Sequence, residues 1–131
     1  SMFMSAWDIL RKNNMLKYFG AVWEGQLIGV ICILCYRDTI IDWYAGSLRS
    51  HLSKYPNDLL PWEVFKWGKT QGYSKFDFGG AGRPGQEYGV RDYKKKFGGY
   101  FVNFGRFEKI HRPFLYRAVK TAFDLWRKRK P

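Results

Sequence analysis

The sequence predicts an α+β fold: a mixed central sheet of about five to six strands flanked by helices. Three observations carry the prediction. Short β-branched and aromatic runs follow one another across tight polar turns near the N-terminus. Apolar residues recur at helical spacing in the middle and at the end of the chain. A short strand-like segment follows the middle helix, which makes that helix a crossover to a parallel neighbour.

Each element has a local reason. Ser5 can cap a first helix, with Asp8 three positions on, and Met4 and Ile9 are spaced as a hydrophobic staple. That helix is expected to end near Asn13 and Asn14. Leu16 to Trp23, Leu27 to Tyr36 and Thr39 to Ala45 read as three strands, with turns at Glu24-Gly25-Gln26 and Arg37-Asp38, an antiparallel meander. A polar loop, residues 46–57, leads to a helix from about Asp58 to Gln71. Pro61 is expected in its first turn, Leu60, Val64 and Trp67 on its buried face, and Gly72 at its end. Lys75 to Phe78 reads as a short strand and Glu87 to Phe97 as a helix. Tyr100 to Phe107 reads as a last strand, and a final helix opens at Pro113 with Leu115, Val119, Ala122 and Trp126 as its buried stripe.

Length and composition narrow the classes. A chain of 131 residues, 46% hydrophobic and 20% aromatic, suits a single domain with a compact core. The longest apolar run, Leu27 to Tyr36, is far short of the roughly 20 residues a spanning helix needs. No stretch reads as a secretory signal, so a cytoplasmic location is expected. Of the net charge of +12, residues 91–131 contribute +10, from 13 basic and 3 acidic groups. Such a field draws polyanions. The interleaved aromatic and basic residues Tyr100, Phe104, Arg106, Lys109 and Arg112 form a candidate nucleic-acid or phosphate surface. Cys32 and Cys35 spell C-x-x-C inside a strand, where positions three apart face opposite ways, so they read as buried structural thiols. His51 and His111 lack ligand-spaced neighbours, and no metal is expected.

The stretch from Phe76 to Gly99 contains a literal G-x-G-x-x-G at Gly80, Gly82 and Gly85. Its setting argues against a dinucleotide site. Pro84 and Gln86-Glu87-Tyr88 separate the glycines from the next helix, and the preceding strand is short and polar for the centre of a parallel sheet. In the helix after the loop, Val90, Tyr93 and Phe97 share one face. Lys94 falls on or beside that face, while Lys95 and Lys96 lie off it. A snorkelling stem accounts for its position, and so does a partly desolvated cation aimed into a cleft.

The segment from Leu59 to Gly99 resembles the C-terminal half of the Fem-type peptidoglycan aminoacyltransferases and their FemAB-like relatives in the GNAT acyltransferase superfamily. The resemblance rests on "GYSKFDFGG" and "YGVRDYKKKFGG", with Tyr93-Lys94 where the family carries Phe-Lys and with Phe97-Gly98 closing the motif. It implies a GNAT-like fold over residues 1–131, equivalent to one half of a two-domain Fem enzyme and completed by a second half or a homodimer. It also implies transfer of an acyl or aminoacyl group to an amine, with a cell-wall precursor as acceptor in the Fem branch. Aminoacyl-tRNA would then be the donor, with tRNA as a partner. Lys94 matches the family's lysine and would stabilise charge on the carbonyl oxygen. Asp77 is either a base or a loop tie. Tyr93, Gly79, Gly80, Arg83, Tyr88 and Arg91 are the candidate substrate-binding residues, and Arg106, Lys109 and Arg112 the phosphate-binding ones. Acetyl-CoA is not expected as the donor, because "GSLRSHLSKYPNDLL" lacks the glycine turn that cradles its pyrophosphate. Two alternatives stand beside this reading: a non-catalytic RNA-binding module on the same fold, and an acetyl-CoA-dependent N-acetyltransferase with an atypical cradle.

Overall fold

The computed structural model describes residues 2–83, 85–105 and 107–128. It divides into two compact units, residues 1–99 and residues 100–131. The first unit holds a four-stranded sheet in the order β1-β2-β3-β4: β1 Leu16–Trp23, β2 Gln26–Tyr36, β3 Thr39–Ser47 and β4 Lys75–Asp77. The first three are antiparallel and β4 runs parallel to β3. Three helices accompany them: α1 Met2–Leu10, α2 Pro56–Thr70 and α3 Gly89–Lys95.

Local chemistry sets the hairpins. Trp23 pairs with Gln26 across Glu24 and Gly25, whose φ angles of 48° and 79° match the right-handed twist of the flanking strands. Tyr36 pairs with Thr39 across Arg37-Asp38. In β2, Ile31, Ile33 and Cys35 face α2 and join Ile40, Leu60 and Val64 in the core. Ala21 pairs with Gly29 and Val22 with Leu27, so Ile28 is the extra residue of a bulge and also turns into that core. Cys32 lies on the opposite face. The two buried thiols sit about 10 Å apart along the strand, beyond disulfide reach.

α2 packs closely because Gly68 has no side chain. A Cβ there would lie 2.5 Å from Ile40 Cδ1. The helix ends in a Schellman arrangement: Gly72 has φ of 84°, and Tyr73 N–H donates to the Gly68 carbonyl at 2.9 Å. Below the β2–β3 turn, Asp38 joins the strands. Its carbonyl accepts from Ser74 and Lys75 N–H, and its carboxylate takes Ser74 Oγ at 2.9 Å and Lys75 Nζ at 2.9 Å.

Several expectations need correction. α1 begins at Met2, so Ser5 lies within it and is no cap, and Met4 and Ile9 are exposed rather than stapled. α2 begins at Pro56, which takes the tolerated first position. Pro61 therefore falls in the helix interior. Part of the expected loop 46–57 is a 3-10 turn, Arg49–Lys54.

In the second unit, α4 spans Pro113–Lys128. The expected strand over Tyr100 to Phe107 is absent among the described residues, which leaves four strands instead of five to six. Gly105 has φ of 74° and donates its N–H to Asn103 Oδ1 at 3.0 Å, a side-chain turn that breaks an extended path. The stripe of α4 forms at the expected spacing but is not buried: Leu115 is 57% and Val119 61% exposed.

Candidate active site

The site begins where the sheet stops pairing. β4 pairs with β3 only at Thr39, Ile40 and Ile41, while β3 continues to Ser47. After Asp77 the chain turns sharply: Gly79 N–H donates to Asp77 Oδ1 at 2.7 Å, and Gly79 has φ of 67°. β4 cannot follow β3 further, and the edge from Asp42 onward has no β4 partner. The loop stays close at first, since a Cβ on Gly79 would stand 3.8 Å from the Asp42 carbonyl oxygen.

Lys94, on α3, reaches back to this loop. Its Nζ donates to the Phe78 carbonyl at 2.5 Å and the Gly80 carbonyl at 2.7 Å. An ammonium carries three N–H bonds, so one remains beyond these two. Arg91 holds the rest of the loop, donating to the Ala81 carbonyl at 2.9 Å, the Gln86 carbonyl at 2.7 Å and the Arg83 carbonyl. Five loop carbonyls thus point at two cations. A phosphate cradle requires the reverse, N–H groups turned inward. Packing around Lys94 is aromatic: Phe78 and Phe97 have ring centroids 5.3 Å apart, and Phe65 contacts both.

Asp42 is the residue that sequence reasoning missed. It pairs with Ile33 and so shares the α2 face of the sheet, where it is half-buried. Burial pushes its carboxyl up, and the Lys94 ammonium pulls it part of the way back. The signal was present in "TIIDWYAGS", a lone carboxylate in an otherwise uncharged strand. Trp43 is a bulged residue, because Ile33 pairs with Asp42 and Cys32 with Tyr44. On the opposite face Phe3 packs on Tyr44 and Trp43, with centroids 4.9 and 5.6 Å apart.

Tyr93 lies beside Lys94. Its hydroxyl donates to the Asn57 carbonyl at 2.5 Å. Residue 61 would normally fill that carbonyl from within α2, but Pro61 has no N–H. Tyr93 therefore completes a helix that proline interrupts, and in doing so fixes α3 against α2. Its phenol is pushed up to about 12, first by burial and then by Asp58 and Asp42.

The remaining candidates are distributed. Asp77 and Gly79 form the turn, Gly80 supplies a carbonyl to Lys94, and the Arg91 guanidinium is committed to the loop. Tyr88 packs its ring against Gly82, where a Cβ would lie 2.8 Å away. The Arg83 side chain is exposed. Lys109 and Arg112 belong to the second unit, and Arg106 lies outside the described residues. Among the described residues no cluster of three or more His, Cys, Asp or Glu is built that could hold a metal, and no helix is long and apolar enough to cross a membrane.

At the entry to α2, Pro56 has no N–H, and the N–H groups of Asp58 and Leu59 both bond the Tyr55 carbonyl, at 3.1 and 3.0 Å. The same segment carries side-chain cations instead, Arg49 and Lys54, in the 3-10 turn that enters α2.

Comparisons with known proteins complete the picture. The family profile described as an acetyltransferase (GNAT) domain matches residues 1–95. No curated protein matches the chain significantly. Two solved structures do. One is AAC(6')-Iy in complex with the bisubstrate analogue CoA-S-monomethyl-acetylneamine, with TM-score 0.63, 15% identity, and coverage of 85% of this chain and 80% of that one. The other is the aminoglycoside N-acetyltransferase AAC(6')-Iy in complex with CoA, with TM-score 0.51, 17% identity, and coverage of 85% and 93%. These overturn the expectation that a CoA donor is doubtful: proteins of this fold bind CoA, and a missing glycine turn does not exclude it. The family profile spans most of the chain and the sheet has the matching fold, so this protein belongs to the acetyltransferase (GNAT) domain family and is an N-acyltransferase.

Proposed function

We propose that the protein transfers an acyl group from an acyl-CoA to an amine. The observation that carries this reading is the half-buried Asp42 carboxylate, within electrostatic reach of the Lys94 ammonium, at the point where β3 outruns β4. When bound, the donor supplies the acyl group as an activated thioester. The backbone edge of β3 beyond Ile41, which β4 does not pair, fits an extended arm carrying amide groups, and Arg49 and Lys54 fit its phosphates.

The chain's own groups divide the remaining work. An amine attacks only when unprotonated, and Asp42 is placed to take its proton. Burial raises the basicity of that carboxylate, which improves it for the task. Lys94 offers its remaining N–H to an oxygen that gains negative charge, with the two loop carbonyls fixing the ammonium in advance.

For the acceptor, the Fem-type branch is a second reading. Its motif residues act as one unit here: Phe78 and Phe97 pack together while Lys94 bonds the Phe78 carbonyl. A cell-wall precursor amine is the acceptor that branch implies.

The experiment is a melting curve with acetyl-CoA, followed by thiol release with a panel of primary amines. Ligand at 100 times its Kd adds about 2.7 kcal/mol. Asp42→Asn is expected to keep that stabilisation and lose turnover by about 100-fold or more. A flat melting curve together with no thiol release from any amine refutes the reading.

A further inference from the structure

The second unit carries an amphipathic helix that has been given no part in the transferase chemistry. α4 runs Pro113–Lys128, and none of its residues is buried. At 100° per residue, Leu115, Val119 and Phe123 fall on one arc, while Arg117, Lys120, Arg127 and Lys128 fall on the other. Within its own unit the apolar arc is uncovered: Leu115 is 57%, Val119 61% and Phe123 52% exposed. The opposite arc has those four cations and one carboxylate, Asp124, which bonds Arg127 at 3.7 Å.

We propose that α4 lies on the surface of an anionic lipid bilayer, with its apolar arc at the acyl boundary and its cations among the headgroups. The inference does not depend on the acyltransferase reading. Three features favour lipid as the occupant. The helix combines a strong apolar face with low overall hydrophobicity and Lys and Arg on its polar side, as interfacial helices do. Lys120 and Arg127 flank the apolar arc, where long stems can bury while their charges stay at the headgroups. The net positive charge makes an anionic surface complementary.

Two other occupants fit less well. A second copy packed on the apolar arc would bring the flanking Lys120 and Arg127 of two helices close together. Single-stranded RNA is held by aromatic faces interleaved with cations, whereas α4 separates the two kinds, and Leu115 and Val119 have no ring to stack.

The test is co-sedimentation of the full chain with vesicles of phosphatidylcholine alone and of phosphatidylcholine with about 30% phosphatidylglycerol. A poly-uridine oligonucleotide and size-exclusion chromatography serve as parallel arms. The expected result is binding to the anionic vesicles only. Lys120→Ala together with Arg127→Ala should weaken it by about 25-fold, at roughly fivefold per cation. Val119→Asp and Phe123→Asp should abolish it while leaving the melting temperature of the chain unchanged. No sedimentation with anionic vesicles at low salt overturns the proposal. Binding to the oligonucleotide without binding to vesicles, or self-association without vesicle binding, overturns it as well. Vesicle binding that survives Val119→Asp and Phe123→Asp also overturns it, because the apolar arc would then play no part.

Discussion

Tyr93→Phe isolates one hydroxyl with an unusual duty. That hydroxyl donates to the Asn57 carbonyl at 2.5 Å, and Pro61 has no N–H to give the same carbonyl. Removing it leaves an exposed acceptor that water can partly satisfy. The net loss is then that of an ordinary hydrogen bond, about 0.5–1.5 kcal/mol. Each kcal/mol lowers Tm by roughly 4–8 °C in a unit of this size, so a drop of roughly 2–10 °C is expected by calorimetry. The decisive control is Pro61→Ala, which restores an N–H in front of the Asn57 carbonyl. Tyr93→Phe should cost about 1 kcal/mol less in that background. Alkaline pH gives an independent reading. The phenol sits at about 12 in the folded state against an ordinary value of 10.0. The unfolded chain therefore loses its proton first, and stability is full below pH 10 and falls as pH rises toward 12. Tyr93→Phe should remove that part of the alkaline loss. An unchanged Tm, or an equal loss with and without Pro61, refutes the reasoning.

Four further outcomes are expected. Asp42→Asn should raise Tm at neutral pH while lowering turnover, because a carboxyl raised by burial favours its protonated form and costs stability once pH passes its unfolded value; a lower Tm would place Asp42 in a purely structural role. Lys94→Ala should reduce thiol release by about 100-fold or more and loosen residues 78–80, seen as faster amide exchange there, and retained turnover removes its catalytic part. Asp38 is held down to about 2, first by Lys75, then by Ser74 and Thr39; its contribution is present above its ordinary value of 3.8 and is lost as pH falls through about 2, so acid should open the β3–β4 pairing, and Asp38→Asn should abolish that pH dependence in exchange of the Phe76 and Asp77 amides. Gly68→Ala should destabilise by about 1–3 kcal/mol, since its Cβ would meet Ile40 Cδ1 at 2.5 Å; an unchanged denaturation midpoint would show that Ile40 moves aside freely.

Much of the fold was legible because its determinants are local. Two-residue turns at Glu24-Gly25 and Arg37-Asp38 connect the antiparallel strands by their own dihedral chemistry. The spacing of Leu60 and Val64 marks the buried face of α2, and Gly72 marks its end. The misplaced features depended on neighbours. An alternating run such as Tyr100 to Phe107 becomes a strand only beside a partner edge, and the Asn103–Gly105 turn diverts it. Ser5 reads as a cap only if the helix starts there, and it starts earlier.

The candidate site was half legible. Spacing alone placed Lys94 on the apolar side of α3, but not what it bonds. Its partners lie 14 and 16 residues back, on carbonyls aimed by the turn at Asp77. The pairing of Tyr93 with Asn57 spans 36 residues and depends on a gap that Pro61 makes in another helix. The basicity of Asp42 arises from what covers it, and no spacing encodes that. The sequence by itself determined the strands of the meander and the buried face of α2, because dihedral preference and periodicity act over a few residues. The tertiary structure decided which carbonyls Lys94 ties down, which helix Tyr93 completes and how far Asp42 is desolvated, because hydrogen bonds and burial depend on groups that only the folded path brings together.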